Sequence, residues 1–64
     1  MQPHQQRVVD EKAELDDKIV KLDYFTQTSP HWAGLPQEEK DRLTEQLAVM
    51  QKYSDILAAR IAAF

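Results

Sequence analysis

Glycine and proline are confined almost wholly to the middle of this chain. Pro30, Gly34 and Pro36, accompanied by Thr28 and Ser29, stand between two long segments that contain neither residue except for Pro3 near the start. These are the strongest local breakers of regular structure, so their placement predicts two helices and one connection. The fold class is all-α, and 64 residues leave room for a single domain, residues 1–64. A domain of this size buries only about 60% of the surface its unfolded chain exposes. Disulfides, a metal or oligomerisation usually supply the missing stability. With no cysteine, disulfides are removed and a metal site is nearly so, and self-association is the leading route.

The first helix is expected over about 3–26, opening at Pro3, whose fixed φ and missing N–H suit a first helical position. Val8, Leu15, Ile19 and Leu22 share one face at helical spacing, with Lys12 on the same seam by phase and Val9 and Phe25 beside it. Glu14–Lys18 and Asp17–Lys21 are acid-before-base pairs at i, i+4. The second helix is expected over about 36–63. Glu38 and Glu39 lie in its first turn and Arg60 in its last, matching the macrodipole. Leu43, Leu47, Met50, Ser54, Leu57, Ile61 and Phe64 alternate steps of 4 and 3, a heptad seam interrupted by one polar residue, Ser54.

A second stripe on that helix, Val49, Tyr53, Ile56, Arg60 and Ala63, repeats the spacing one residue earlier. One antiparallel partner helix covers only one such face, and soluble monomers seldom leave a large apolar face in water. The expected architecture is therefore an antiparallel two-helix hairpin that assembles through its C-terminal helices into a homo-oligomeric bundle, a tetramer or a hexamer. In the connection, about 27–35, Ser29 is placed to cap a short turn opening with Pro30, and Gly34 to close it. Trp32 would project from that turn and close the end of the hairpin on Phe25, Leu35 or Leu43.

Charge excludes several partners. Residues 1–32 carry four basic against six acidic side chains and residues 33–64 four against five, for a net charge of −3. No basic cluster attracts duplex nucleic acid or an anionic membrane surface. The longest apolar run, Ile56–Ala59, is far below the ~20 residues of a membrane span, and residues 1–7 lack the apolar core of a secretory signal. The expectation is a soluble, cytoplasmic protein.

Catalysis is not expected. A nucleophile needs a base and an orienting group in one pocket, and the only histidines, His4 and His31, fall in a terminus and in the connection. The carboxylate pairs Asp10-Glu11, Asp16-Asp17 and Glu38-Glu39 are consecutive, so they diverge around a helix and read as solvating charge. No Glu-x-x-His motif is present, and neither a metal site nor a cofactor is expected.

Four polar residues occupy positions that a purely structural hairpin would fill differently: Lys12, Ser54, Tyr53 and Arg60. In structural terms Lys12 snorkels, Ser54 fixes register, Tyr53 packs and Arg60 pairs across an interface. In functional terms, Arg60 and Lys12 supply positive charge at a subunit junction and Tyr53 a stacking plane. Guanidinium grips phosphate bidentately and phenol stacks on a nucleobase, a set suited to a small anionic ligand with flat bases. Symmetry would place copies of the set around one ligand.

The run Glu39-Lys40, Leu47, Met50, Tyr53 and Ala58-Ala59-Arg60-Ile61-Ala62 resembles small helical-hairpin proteins of bacteriophages, and Gln5–Lys12 resembles the start of a phage family of similar length. The closing helix is similar to the hairpin domain of the phage anti-CBASS and anti-Thoeris sponges. Those are helical oligomers that sequester cyclic nucleotide signals of bacterial immunity and catalyse nothing. The resemblance places Tyr53 where the sponges carry an aromatic and Arg60 at a basic residue near the helix end. The aromatic-rich N-terminal segment of the sponges has no counterpart before Arg7.

Together these readings give Arg7, Lys12, Tyr53 and Arg60 as candidate ligand-binding residues. They imply a phage anti-defence protein that holds a cyclic oligonucleotide between subunits in the host cytoplasm. The alternative is a protein-interaction module that inhibits or adapts a host protein through the apolar second helix.

Overall fold

A computed structural model describes residues 1–64 as three helices and no strand: α1, Pro3–Thr28; α2, Pro30–Ala33; and α3, Gln37–Ala62. Pro3 takes the first helical position of α1, and the Gln2 backbone N–H donates to Gln5 Oε1 at 2.9 Å. The helix runs two residues past the expected end. Thr26 and Thr28 do not stop it because their hydroxyls donate back to the carbonyls of Asp23 and Tyr24, each at 2.7 Å. The stop is Pro30, which forces the preceding Ser29 out of the helical region to φ −77°, ψ 130°.

The connection is itself helical, so the chain has three helices instead of two and a loop. Ser29 Oγ accepts from the His31 N–H at 3.2 Å and caps α2. Gly34 ends α2, though not by the left-handed conformation that glycine usually supplies: its φ is −83° and ψ −6°. In α3, Glu38 and Glu39 occupy the first turn and Arg60 the last, as their signs require. Phe64 lies past the helix and is exposed, so the apolar seam of α3 ends at Ile61.

α1 and α3 lie against each other in a body of 46 × 16 × 13 Å. Their contacts run in opposite sequence order: Asp16 meets Ser54, and Asp23 shares a groove with Thr44 and Leu47. Val8, Leu15 and Leu57 form the core, with Ile19, Met50 and Ile61 packed against it. Ser54 is the only other buried residue. At the connection, Trp32 meets Phe25 edge-to-face, with centroids 6.3 Å apart and planes at 87°. The end closes on Phe25 as expected. Lys40 Nζ also sits 5.9 Å from the Trp32 centroid, a cation–π contact that ties α3 to the same ring.

Of the two expected helical ion pairs, Asp17–Lys21 forms at 2.8 Å. Its carboxylate raises the Lys21 ammonium above the usual lysine range, first by hydrogen bonding and then by charge. Glu14 and Lys18 do not pair; the N-terminal half of α1 is instead tied by Lys12–Asp16 at 2.6 Å.

Candidate functional site

Ser54 sits on the α3 seam between Met50 and Leu57, where its small side chain lets α1 approach. Its Oγ donates to Asp16 Oδ1 at 2.5 Å, and the other oxygen of Asp16 accepts from Lys12 Nζ at 2.6 Å. The Lys12 hydrogen bond lowers the Asp16 carboxyl below the usual carboxylate range; the Ser54 hydrogen bond adds to this, and partial burial opposes it. Every other side-chain hydrogen bond spans four residues or fewer, so Ser54–Asp16 is the one polar link between the long helices. Sequence reading assigned Asp16 to solvating charge. The missed signal was its place one turn after Lys12, the single cation on the α1 seam.

The two flanks of the helix pair differ. Successive residues are turned by about 100° around a helix, so a residue just after a seam position faces one flank and a residue just before it faces the other. The groove between the helices fixes which flank is shared: Asp23, Thr44, Ala48 and Gln51 all line it, and each follows a seam leucine or methionine. Because α1 and α3 run in opposite directions, the residues that precede seam positions also share a flank. Arg7, before Val8, therefore shares a flank with Val49, Tyr53, Ile56 and Arg60 of α3. All five are exposed, with Tyr53 at 42% and Ile56 at 48%. Neither Arg7 nor Arg60 forms an ion pair within the chain.

The structure thus gathers Arg7, Tyr53 and Arg60 on the α3 flank and leaves Lys12 apart, held by Asp16 toward the opposite one. This flank carries two guanidiniums without an ion pair in the chain, a half-exposed phenol and the apolar side chains of α3; by the same rule Glu11 and Glu14 of α1, before the seam positions Lys12 and Leu15, lie on it too, so its charge is mixed. No three of the His, Asp and Glu side chains converge as they would around a metal ion. No helix is long and apolar enough to cross a membrane.

A model of the Sequestin protein family matches residues 2–63, almost the whole chain. The chain belongs to the Sequestin family. The matched span includes both long helices, the Lys12–Asp16–Ser54 link and the whole α3 flank, so the family assignment rests on the complete helix pair and not on one motif. The family name itself denotes sequestration. No curated protein matches the chain, and no solved structure does.

Proposed function

We propose that this protein is a non-enzymatic sequestering protein: a helical hairpin whose copies assemble through the α3 flank and enclose a small anionic ligand between them. The ligand class that fits is a cyclic nucleotide. Its bacterial immune-signalling role, the phage origin of the protein and its place in the host cytoplasm follow from the resemblance to the sponges. Membership of the Sequestin family supports sequestration as the activity. The observation that carries the reading is the pairing on one exposed flank of Tyr53 with Arg60, a guanidinium that nothing in its own chain neutralises.

In this reading Arg60 holds phosphate bidentately, Tyr53 stacks on a base, and Arg7 adds a second cation from α1. Lys12 joins only by exchanging Asp16 for a phosphate. Val49 and Ile56 supply the apolar area that brings the copies together.

Native mass spectrometry of the protein, alone and with a panel of cyclic dinucleotides, cyclic trinucleotides and cyclic ADP-riboses, tests both parts. The expected spectrum shows a discrete oligomer with a fixed ligand count. Arg60→Glu should keep the oligomer and lose the ligand; unchanged affinity sinks the assignment. An oligomer that takes no ligand shifts the reading to a protein-interaction module that uses Val49 and Ile56 against a host protein.

A further inference from the structure

The flank opposite Arg60 carries a groove of about 390 Å³ between the long helices, lined by Ile19 and Asp23 of α1 and by Thr44, Leu47, Ala48 and Gln51 of α3. Its floor is apolar and its rim is rich in acceptors. Asp23 Oδ2 accepts from Gln27 Nε2 at 3.1 Å, leaving Oδ1 without a partner in the chain. Gln51 Nε2 donates to Asp55 at 3.1 Å, leaving its own carbonyl oxygen available. The Thr44 hydroxyl donates to the Lys40 carbonyl at 2.8 Å, leaving its lone pairs. The groove therefore offers acceptors above hydrophobic carbon. A carboxylate on the rim repels phosphate, so this is not the place for an anionic ligand. It suits a flat apolar ring that ends in a hydrogen-bond donor.

The same chain displays such a ring. Tyr24, directly after the groove residue Asp23, is 69% exposed, and Val20, one turn earlier, is 66% exposed. The Tyr24 hydroxyl has no hydrogen-bond partner in its own chain. We infer that Tyr24 of one copy seats in the groove of a second copy, and reciprocally, around a two-fold axis that passes close to Val20. The occupant is a second copy because the chain buries only three apolar side chains by itself. A fold so short of buried area needs a partner present whenever the chain is folded, and only another copy of the chain meets that condition. Isologous pairing also supplies two ring insertions from one recognition element.

This inference rests on the self-assembly proposed above and adds to it. Each chain then has two different two-fold interfaces on opposite flanks, and closing both requires an even number of chains, four in the simplest dihedral arrangement.

Sedimentation velocity on the full-length protein tests it. Tyr24→Ala and Ala48→Arg, both at exposed positions, should at least halve the mass of the assembly while circular dichroism keeps its helical signal. Ile56→Asp, on the other flank, should do the same independently, and Tyr24→Ala with Ile56→Asp should give a monomer. Because the chain has no cysteine, a Val20→Cys chain, with Tyr24 intact and the thiol beside the two-fold axis, should yield a covalent 20–20 homodimer on oxidation. Wild-type mass in Tyr24→Ala overturns the groove interface and leaves the α3 interface standing. A monomeric wild-type protein overturns both. A halved mass in Tyr24→Ala without the 20–20 cross-link also overturns the two-fold pairing through the groove.

Discussion

Near the chain termini, Val8, Leu15, Ser54 and Leu57 are buried, with Lys12 and Ile61 half-buried beside them; toward α2, the seam residues Ile19, Leu22, Leu43, Leu47 and Met50 are all only half-buried. Both halves use the same 3–4 spacing, and the open half carries the bulkier side chains. The difference lies in what faces what. In the half near the termini Ser54 is small and donates to Asp16 across the seam. In the half toward α2 larger side chains meet beside the groove, and the Phe25–Trp32 pair closes the end. Interaxial distance follows the side chains at the contact, so a regular apolar repeat fixes which face is shared but not how tightly it shuts.

The sharpest test of this contrast is to cut one side chain from each half. Leu57→Ala removes a side chain with no solvent exposure. It should cost about 3 kcal/mol in urea denaturation, within the usual range for a buried leucine. Trp32→Ala removes the edge-to-face contact and the Lys40 interaction at a half-exposed site, and should cost about 1–2 kcal/mol. Equal losses for the two variants would abolish the distinction between the halves.

A finer test concerns pH. Because the Asp16 pKa is lowered on folding, its bonds to Lys12 and Ser54 stabilise the fold above the ordinary aspartate pKa. That contribution is lost as pH falls through the lowered value. Ser54→Ala should therefore reduce the melting temperature at neutral pH, with the gap to wild type narrowing in acid. By NMR titration, the Asp16 carboxyl should move back up toward its ordinary value. A gap that stays constant down to the lowest pH would mean that Ser54 acts by packing alone.

The smallest expected effect has the opposite sign. Gly34 has an ordinary right-handed backbone, and a Cβ there would meet only the His31 carbonyl oxygen at 3.7 Å. Gly34→Ala should thus stabilise the open end by about 0.4–1 kcal/mol, by restricting the unfolded chain.

Much of this was legible in residue order. Pro30, Gly34 and Pro36 located the connection, Pro3 the start of α1, and the seam spacing the shared faces of α1 and α3. The exposed Val49–Tyr53–Ile56 stripe and the Phe25–Trp32 contact were readable for the same reason: both are set by helical phase or by closeness in sequence. The role of Asp16 was not, because its partner Ser54 lies 38 residues away and an aspartate beside another aspartate looks like ordinary solvated charge. Val20 and Tyr24 escaped notice because two apolar residues at i, i+4 off the main seam make no extended stripe. Their importance comes from the neighbouring groove, which exists only once α1 and α3 are side by side.

The two long helices lie side by side in a single layer, so the body is one helix thick. A molecule one helix thick has two sides and only a thin core between them, too small to enclose a ligand. A ligand resting on either side of a lone copy keeps much of its hydration, so in the sequestering role proposed above it would be enclosed between copies of the protein. Its hold on a ligand would then be a collective property. By mass action, the apparent dissociation constant would rise on dilution as the assembly separates, and the ligand would in turn draw dilute chains together.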